Sequence, residues 1–117
     1  MGGIDLAHGS TLFVRGGTVQ ATISPSGNFG VGVSPATRLH VAGGTPRLRL
    51  EDTAAAGAFD MVVSGASLRL ELAGGAERLR IDGSGSMGLG TAAPLRKLDV
   101  VGGAMTRAAA VAFSTAV

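Results

Sequence analysis

The feature that most constrains this chain is a phrase written twice. Residues 23–44 read Ile-Ser-Pro-Ser-Gly-Asn-Phe-Gly-Val-Gly-Val-Ser-Pro-Ala-Thr-Arg-Leu-His-Val-Ala-Gly-Gly. Residues 81–103 read Ile-Asp-Gly-Ser-Gly-Ser-Met-Gly-Leu-Gly-Thr-Ala-Ala-Pro-Leu-Arg-Lys-Leu-Asp-Val-Val-Gly-Gly. The spacing is constant through the Gly-x-Gly (Gly30 with Gly88, Gly32 with Gly90). It grows by one residue at the proline (Pro35 with Pro94) and stays so to the end (Leu39 with Leu98, Val41 with Val100). Repetition at a fixed period dictates architecture before any local preference does, because each copy must find the same kind of neighbour.

The segments around the phrase alternate apolar and polar residues, the period-2 pattern of half-buried strands. Thr11–Val14, Thr18–Ile23, Phe29–Val33, Arg38–Val41, Arg47–Leu50, Phe59–Val63, Leu68–Leu72, Glu77–Ile81 and Lys97–Val100 are the strand candidates. Gly-rich turns separate them at short intervals, which predicts an all-β chain. Residues 68–72 and 78–82 read as a hairpin joined by a four-residue loop at 73–76. The alternation points Leu39, Val41, Leu48, Leu50, Leu68, Leu70, Leu72, Leu79, Ile81, Leu98 and Val100 at a core. It turns Arg38, His40, Lys97 and Asp99 to solvent. Gly30, Gly32, Gly88 and Gly90 mark either a close approach between backbones or a loop that needs positive φ. Residues 1–18 read as short extended pieces with no counterpart one period on, and 104–117 as an extended tail or the start of a following segment.

The core this pattern predicts is thin. Hydrophobic residues make up 45% of the 117, but aromatics are only 3%, Trp and Tyr are absent and Gly occurs 20 times. Each glycine adds backbone entropy to be lost on ordering, and small domains are marginal by surface-to-volume scaling. Stability is therefore expected from other copies of the same chain, which can pool one core along a shared axis.

The duplicated phrase resembles the shaft repeats of bacteriophage tail fibres and related trimeric fibre proteins, which typically read Ile-Asp-x-x-Gly-x-Val-Gly-Ile-Gly-Thr-x-x-Pro-x-x-Lys-Leu-x-Val-x-Gly. Residues 81–103 follow that pattern closely, and 23–43 follow it with one residue missing before Pro35. Thr45–Asp52 is similar to the strand that often comes next. The resemblance implies an elongated, intertwined homotrimeric fibre, a β-prism or triple-stranded β-helix-like shaft, with a structural and not an enzymatic role. It also implies a place in a virion, with other tail, baseplate or capsid proteins as partners. On this reading residues 1–22 are an attachment or capping segment, 23–103 the shaft with its two copies (23–44 and 81–103), and 104–117 a tail. The glycines of the phrase would let backbones crowd near a threefold axis.

The residues bear on other chemistries as well. Ten Lys+Arg against eight Asp+Glu leave a net charge of +2, interspersed and without the basic stripe or interleaved aromatics of a nucleic-acid groove. No stretch approaches the roughly 18 apolar residues of a membrane-spanning helix, and residues 1–6 lack the features of a secretory leader. Cysteine is absent, which removes disulfides and thiolate chemistry. Gly83–Gly88 spells G-x-G-x-x-G, but a dinucleotide site needs a helix next and Leu89–Pro94 is a poor one. His8 and His40 stand apart from carboxylates, so no metal is expected, and no cofactor. Glu51, Asp52, Glu71, Glu77 and Asp82 lie among arginines and read as ion pairs. A host-surface module binding glycan or protein is the alternative function, and a polysaccharide depolymerase a more distant one. Both ordinarily use the exposed aromatics that this chain lacks.

Overall fold

The computed structural model describes the backbone of residues 2–7 and the full residues 9–103. The tail expected at 104–117, and His8, lie outside the described residues. The fold is all-β: eleven strands in two sheets, with no helix among the described residues.

Sheet A comprises β1 (Gly2–Ala7), β2 (Ser10–Arg15), β3 (Thr18–Ile23), β4 (Phe29–Val31) and β5 (Leu39–Val41), in that order across the sheet. Sheet B comprises β6 (Arg47–Asp52), β7 (Gly57–Ser64), β8 (Ser67–Leu72), β9 (Ala76–Ile81), β10 (Met87–Leu89) and β11 (Leu98–Val100), again in chain order. Neighbours are antiparallel except for the last pair of each sheet, β4–β5 and β10–β11, which are parallel. The substantial strand–strand contacts all run within a sheet. The radius of gyration is 19.9 Å, against about 13 Å for a compact globule of this length. Each sheet is thus a single layer, where an ordinary domain stacks two.

The repeat is larger in structure than in sequence. β1 to β5 correspond to β7 to β11 one for one, and even the bulge recurs, between Phe13 and Val14 in sheet A and between Leu70 and Glu71 in sheet B. Strands β1 and β2 therefore do have a counterpart, the hairpin β7–β8, contrary to the sequence comparison. Their side chains differ, but the strand pairing does not depend on side-chain identity. The boundary at residue 23 falls at the end of a strand whose other residues pair in the same sheet as the first phrase. The hairpin at 68–82 forms with a loop of residues 73–75, one shorter than expected, because Ala76 already pairs with Leu72.

The phrase itself builds a tight parallel crossover. Parallel neighbours usually need a connection of about a dozen residues. Here residues 32–38 suffice in sheet A and residues 90–97 in sheet B, so the connection must fold back directly over the sheet it leaves. Gly30 and Gly88 lie beneath it. A Cβ on Gly30 would overlap the Val33 carbonyl oxygen, and one on Gly88 would lie 2.6 Å from that of Thr91. The second glycine of each pair turns the chain, with φ of 73° at Gly32 and 75° at Gly90. Gly32 meets the backbone closely as well, since a Cβ there would lie 2.5 Å from the Ala42 carbonyl oxygen. The backbone they accommodate is the chain's own.

The hydrogen bonds around the crossover repeat as well. The Phe29 and Met87 amides donate to the Arg38 and Lys97 carbonyls, both at 2.8 Å. The Gly32 and Gly90 amides donate to the Gln20 and Arg78 carbonyls, at 2.9 and 3.2 Å. His40 and Asp99, assigned to solvent from the alternation, are half-buried and hold the crossover instead. The Ala36 amide donates to His40 Nδ1 at 3.2 Å, and the Leu95 amide to Asp99 Oδ2 at 2.9 Å. Alternation places a side chain on a face; it cannot show that a loop returns over that face.

Gly30→Ala or Gly88→Ala should lower stability by about 1–3 kcal/mol, the range for forcing extra volume into a packed position. Gly43→Ala, with open space around it, should stay within about 0.5 kcal/mol of the parent. Urea unfolding of the three variants tests this, and equal midpoints for all three would contradict the crossover geometry.

Candidate functional site

Residues directly opposite across a sheet share a face, so the strand register sorts every side chain. In sheet B one face is apolar throughout the paired interior. The successive rungs are Leu50, Phe59 and Leu72; Leu48, Met61, Leu70, Leu79, Leu89 and Val100; and Val63, Leu68, Ile81, Met87 and Leu98. Sheet A continues the theme with Phe13, Ala21, Val31 and Val41 on one rung and Ile23, Phe29 and Leu39 on the next. The two apolar faces adjoin at a groove of about 130 Å³, where Val41 meets Leu48, Met61 and Val63.

All eleven residues predicted to point at a core lie on this apolar side of the two sheets, yet no core covers them among the described residues. Leu39 is 58% exposed, Leu50 72% and Leu98 54%. Leu48 is also exposed, and Val41, Leu68, Leu70, Leu72, Leu79, Ile81 and Val100 are half-buried. Apolar surface in contact with water is unfavourable by roughly 25 cal/mol per Å². Contiguous patches of this kind mark surfaces that other molecules cover.

The opposite face of sheet B is charged and closed. A rung of Arg49, Asp60, Glu71 and Glu77 runs beside a rung of Arg47, Val62, Arg69 and Arg80. Arginine and carboxylate are thus neighbours along β8 and β9, although Arg69 faces Arg80 and Glu71 faces Glu77 across those two strands. Asp60, 1% exposed, accepts from Arg49 Nε at 2.7 Å and Nη2 at 2.9 Å, and from Arg47 Nη1 at 2.8 Å. Glu77 accepts from Arg80 Nε and Nη2 at 2.7 and 2.8 Å. Glu71 is buried beside Arg69 and Arg47, with Oε1 3.0 Å from Arg69 Nε and Oε2 3.7 Å from Arg47 Nη1. The Arg69 N–H is misaligned for a hydrogen bond, so this is an ion pair only. Val62, fully buried, lies in register between Arg47 and Arg69.

Hydrogen bonds from Arg49 and then Arg47, opposed by burial, pull the Asp60 carboxyl down to about 2. The same bonds raise Arg49 above the usual guanidinium value. Arg80 likewise lowers Glu77. Asp60 ties β7 to β6, whereas Glu77 pairs within β9. Asp60, the most buried of them, was absent from the sequence-level ion pairs; the register of the β6–β7 hairpin, Arg49 opposite Asp60, is the signal that finds it.

The remaining motifs resolve locally. Gly83–Gly88 runs from a turn into β10. The amides of Ser84 and Ser86 both donate to Asp82 Oδ1 at 2.9 Å, so they point at the chain's own carboxylate. The Ser84 hydroxyl and these amides lower the Asp82 carboxyl. A groove of about 380 Å³ on the second face of sheet A is lined by Ser10, Leu12, Val19, Thr22 and Gly32–Ser34. At the matching positions sheet B carries Ser67, Arg69, Glu77 and Arg80, with Arg80 Nη1 3.3 Å from Ser67 Oγ. The groove is the volume that long side chains fill in the second copy. No cluster of His, Cys, Asp or Glu able to hold a metal occurs among the described residues, and no helix among them is long and apolar enough to cross a membrane.

No protein-family model matches the chain, and no curated protein is significantly similar to it.

The folded-state value of about 2 for Asp60 lies below its ordinary 3.8. Its ionised form therefore stabilises the fold fully above about pH 4, and this stabilisation is lost as pH falls from 4 to 2. Thermal unfolding at pH 7, 4 and 2.5 should show a marked fall between the last two. D60N should unfold at lower temperature at pH 7 and show a shallower fall. An equal fall in both proteins would exclude Asp60 as its source.

Proposed function

We propose that this chain is a shaft segment of an elongated homotrimeric fibre of the phage type, a virion structural protein that spaces a receptor-binding tip from the particle. The observation that carries the reading is the uncovered apolar face running across both sheets while the opposite face of sheet B is closed by its own ion pairs. A single-layer sheet with one apolar face needs a partner layer. Three copies arranged as a triangular prism would give each face two others to pack against, and the resemblance of the duplicated phrase to trimeric shaft repeats supplies the number three. The extended shape and the tandem repetition of one sheet plan along the chain agree with a rod.

In this reading the fibre works mechanically. It acts without cofactor, catalysis, nucleic acid or membrane insertion. Its partners are two further copies, other tail, baseplate or capsid proteins, and through a distal part the host surface. Residues 1–22 would serve attachment or capping while also supplying β1, β2 and most of β3 to the first sheet.

Mass measurement in solution tests the proposal. The expected result is a species of three times the 11.5 kDa chain; a stable folded monomer would overturn it. Leu98→Asp or Val100→Asp should abolish assembly, because each would bring three carboxylates together in an apolar interior without partners. Trimer yield equal to the parent from either variant would contradict the assignment of the covered face.

A further inference from the structure

The second face of sheet A holds the groove of about 380 Å³, and the internal repeat shows what sets it apart. At the matching positions of sheet B the volume is filled from within. Arg80 donates to both carboxylate oxygens of Glu77, and its Nη1 lies 3.3 Å from Ser67 Oγ. Sheet A keeps the serine, as Ser10, but has Thr22 for Arg80, Val19 for Glu77 and Leu12 for Arg69. Each replacement is shorter and uncharged. The returning crossover adds Gly32, Val33 and Ser34 to the wall. The volume lies within the range of small-molecule sites. Thr22 lines the groove at only 8% exposure, and its hydroxyl has no hydrogen-bond partner among the described residues.

We propose that this groove binds a neutral, hydroxyl-rich ligand, a single pyranose unit of a saccharide. Ser10, Thr22 and Ser34 each carry a hydroxyl that both donates and accepts, as the hydroxyls of a sugar do. Leu12, Val19 and Val33 supply an apolar wall for the C–H face of the ring. A purely apolar ligand would strip water from the buried Thr22 hydroxyl and leave it without a partner. A charged ligand would give up its hydration without meeting a counter-ion among these lining residues. Asp5 of β1 lies in register with Leu12, so a cationic sugar is part of the test. With no aromatic platform, the affinity is expected in the millimolar range. The groove lies on the face opposite the apolar one, so the inference holds whatever number of copies covers that face.

Titration of the full chain with the methyl glycosides of glucose, galactose and mannose, followed by the NMR signals of its methyl groups, tests the proposal. At least one glycoside should give saturable shifts confined to Leu12, Val19, Thr22 and Val33. Glucuronate, glucosamine and cyclohexanol should bind at least about tenfold more weakly. Maltotriose beside methyl glucoside distinguishes a chain-borne unit from a free one, and binding of either supports the proposal. Thr22→Arg and Leu12→Arg restore the side chains that sheet B carries at these places. Each should weaken binding at least about tenfold while methyl signals outside the groove keep the parent's positions. The parent's own shifts are a readout that needs no variant. No saturable shift with any of the three glycosides up to about 100 mM, equal binding of any of the three controls, or unchanged affinity in a folded variant would each overturn the proposal.

Discussion

The structure depends on an asymmetry between the two faces of a single-layer sheet. On the charged face of sheet B, Arg47 and Arg49 converge on the buried Asp60 carboxylate, and Arg80 closes on Glu77. Buried carboxylates are tolerable only when paired and hydrogen-bonded, and here the partners come from neighbouring positions of the same sheet. That face needs nothing further. The apolar face has no such internal remedy, because leucines and valines on one flat layer cannot cover themselves. Hydrophobic burial, the largest favourable term in folding, is thus postponed to whatever meets this face.

The duplicated phrase solves a separate geometric problem. A parallel pair at the end of an otherwise antiparallel sheet requires the chain to recross the layer. Here it does so in fewer residues than usual by lying flat against the face opposite the apolar one. The cost falls on Gly30 and Gly88, where no side chain fits, and on Gly32 and Gly90, where φ is positive. Pro35 and Pro94 lie against those glycines. His40 and Asp99 clamp the return. The extra residue of the second copy is absorbed in the crossover, between Gly90 and Pro94, so the register of Leu98 with Met87 matches that of Leu39 with Phe29. A one-residue difference inside a strand would have flipped every later side chain to the wrong face.

Much of the sheet plan is legible from residues. The β3 strand has the predicted limits, and the ends of β2, β6, β7 and β8 lie within two residues of theirs, because period-2 alternation reports directly on a sheet with unlike faces. The eleven residues assigned to an apolar face share one. Less legible were the pairings between segments. The hairpin β1–β2 repeats β7–β8 without repeating its side chains, and Thr11, Phe13 and Arg15 stand where Leu68, Leu70 and Leu72 stand later. Backbone hydrogen bonding tolerates such exchange, so sequence comparison stops at residue 23 while the strand order continues to residue 2.

By itself the sequence determined the strand positions, the apolar stripe and the places where only glycine serves, since each follows from local periodicity or local backbone sterics. Tertiary structure alone decided that β4 and β5 run parallel, that Asp60 is buried beneath two arginines, and that His40 points under a returning loop instead of out to water. Those outcomes depend on which segments lie side by side, and alternation carries no information about a strand's neighbour. Among the described residues the apolar stripe stays open for the same kind of reason. Periodicity tells which residues avoid water, whereas only the arrangement of layers tells whether anything is there to shelter them.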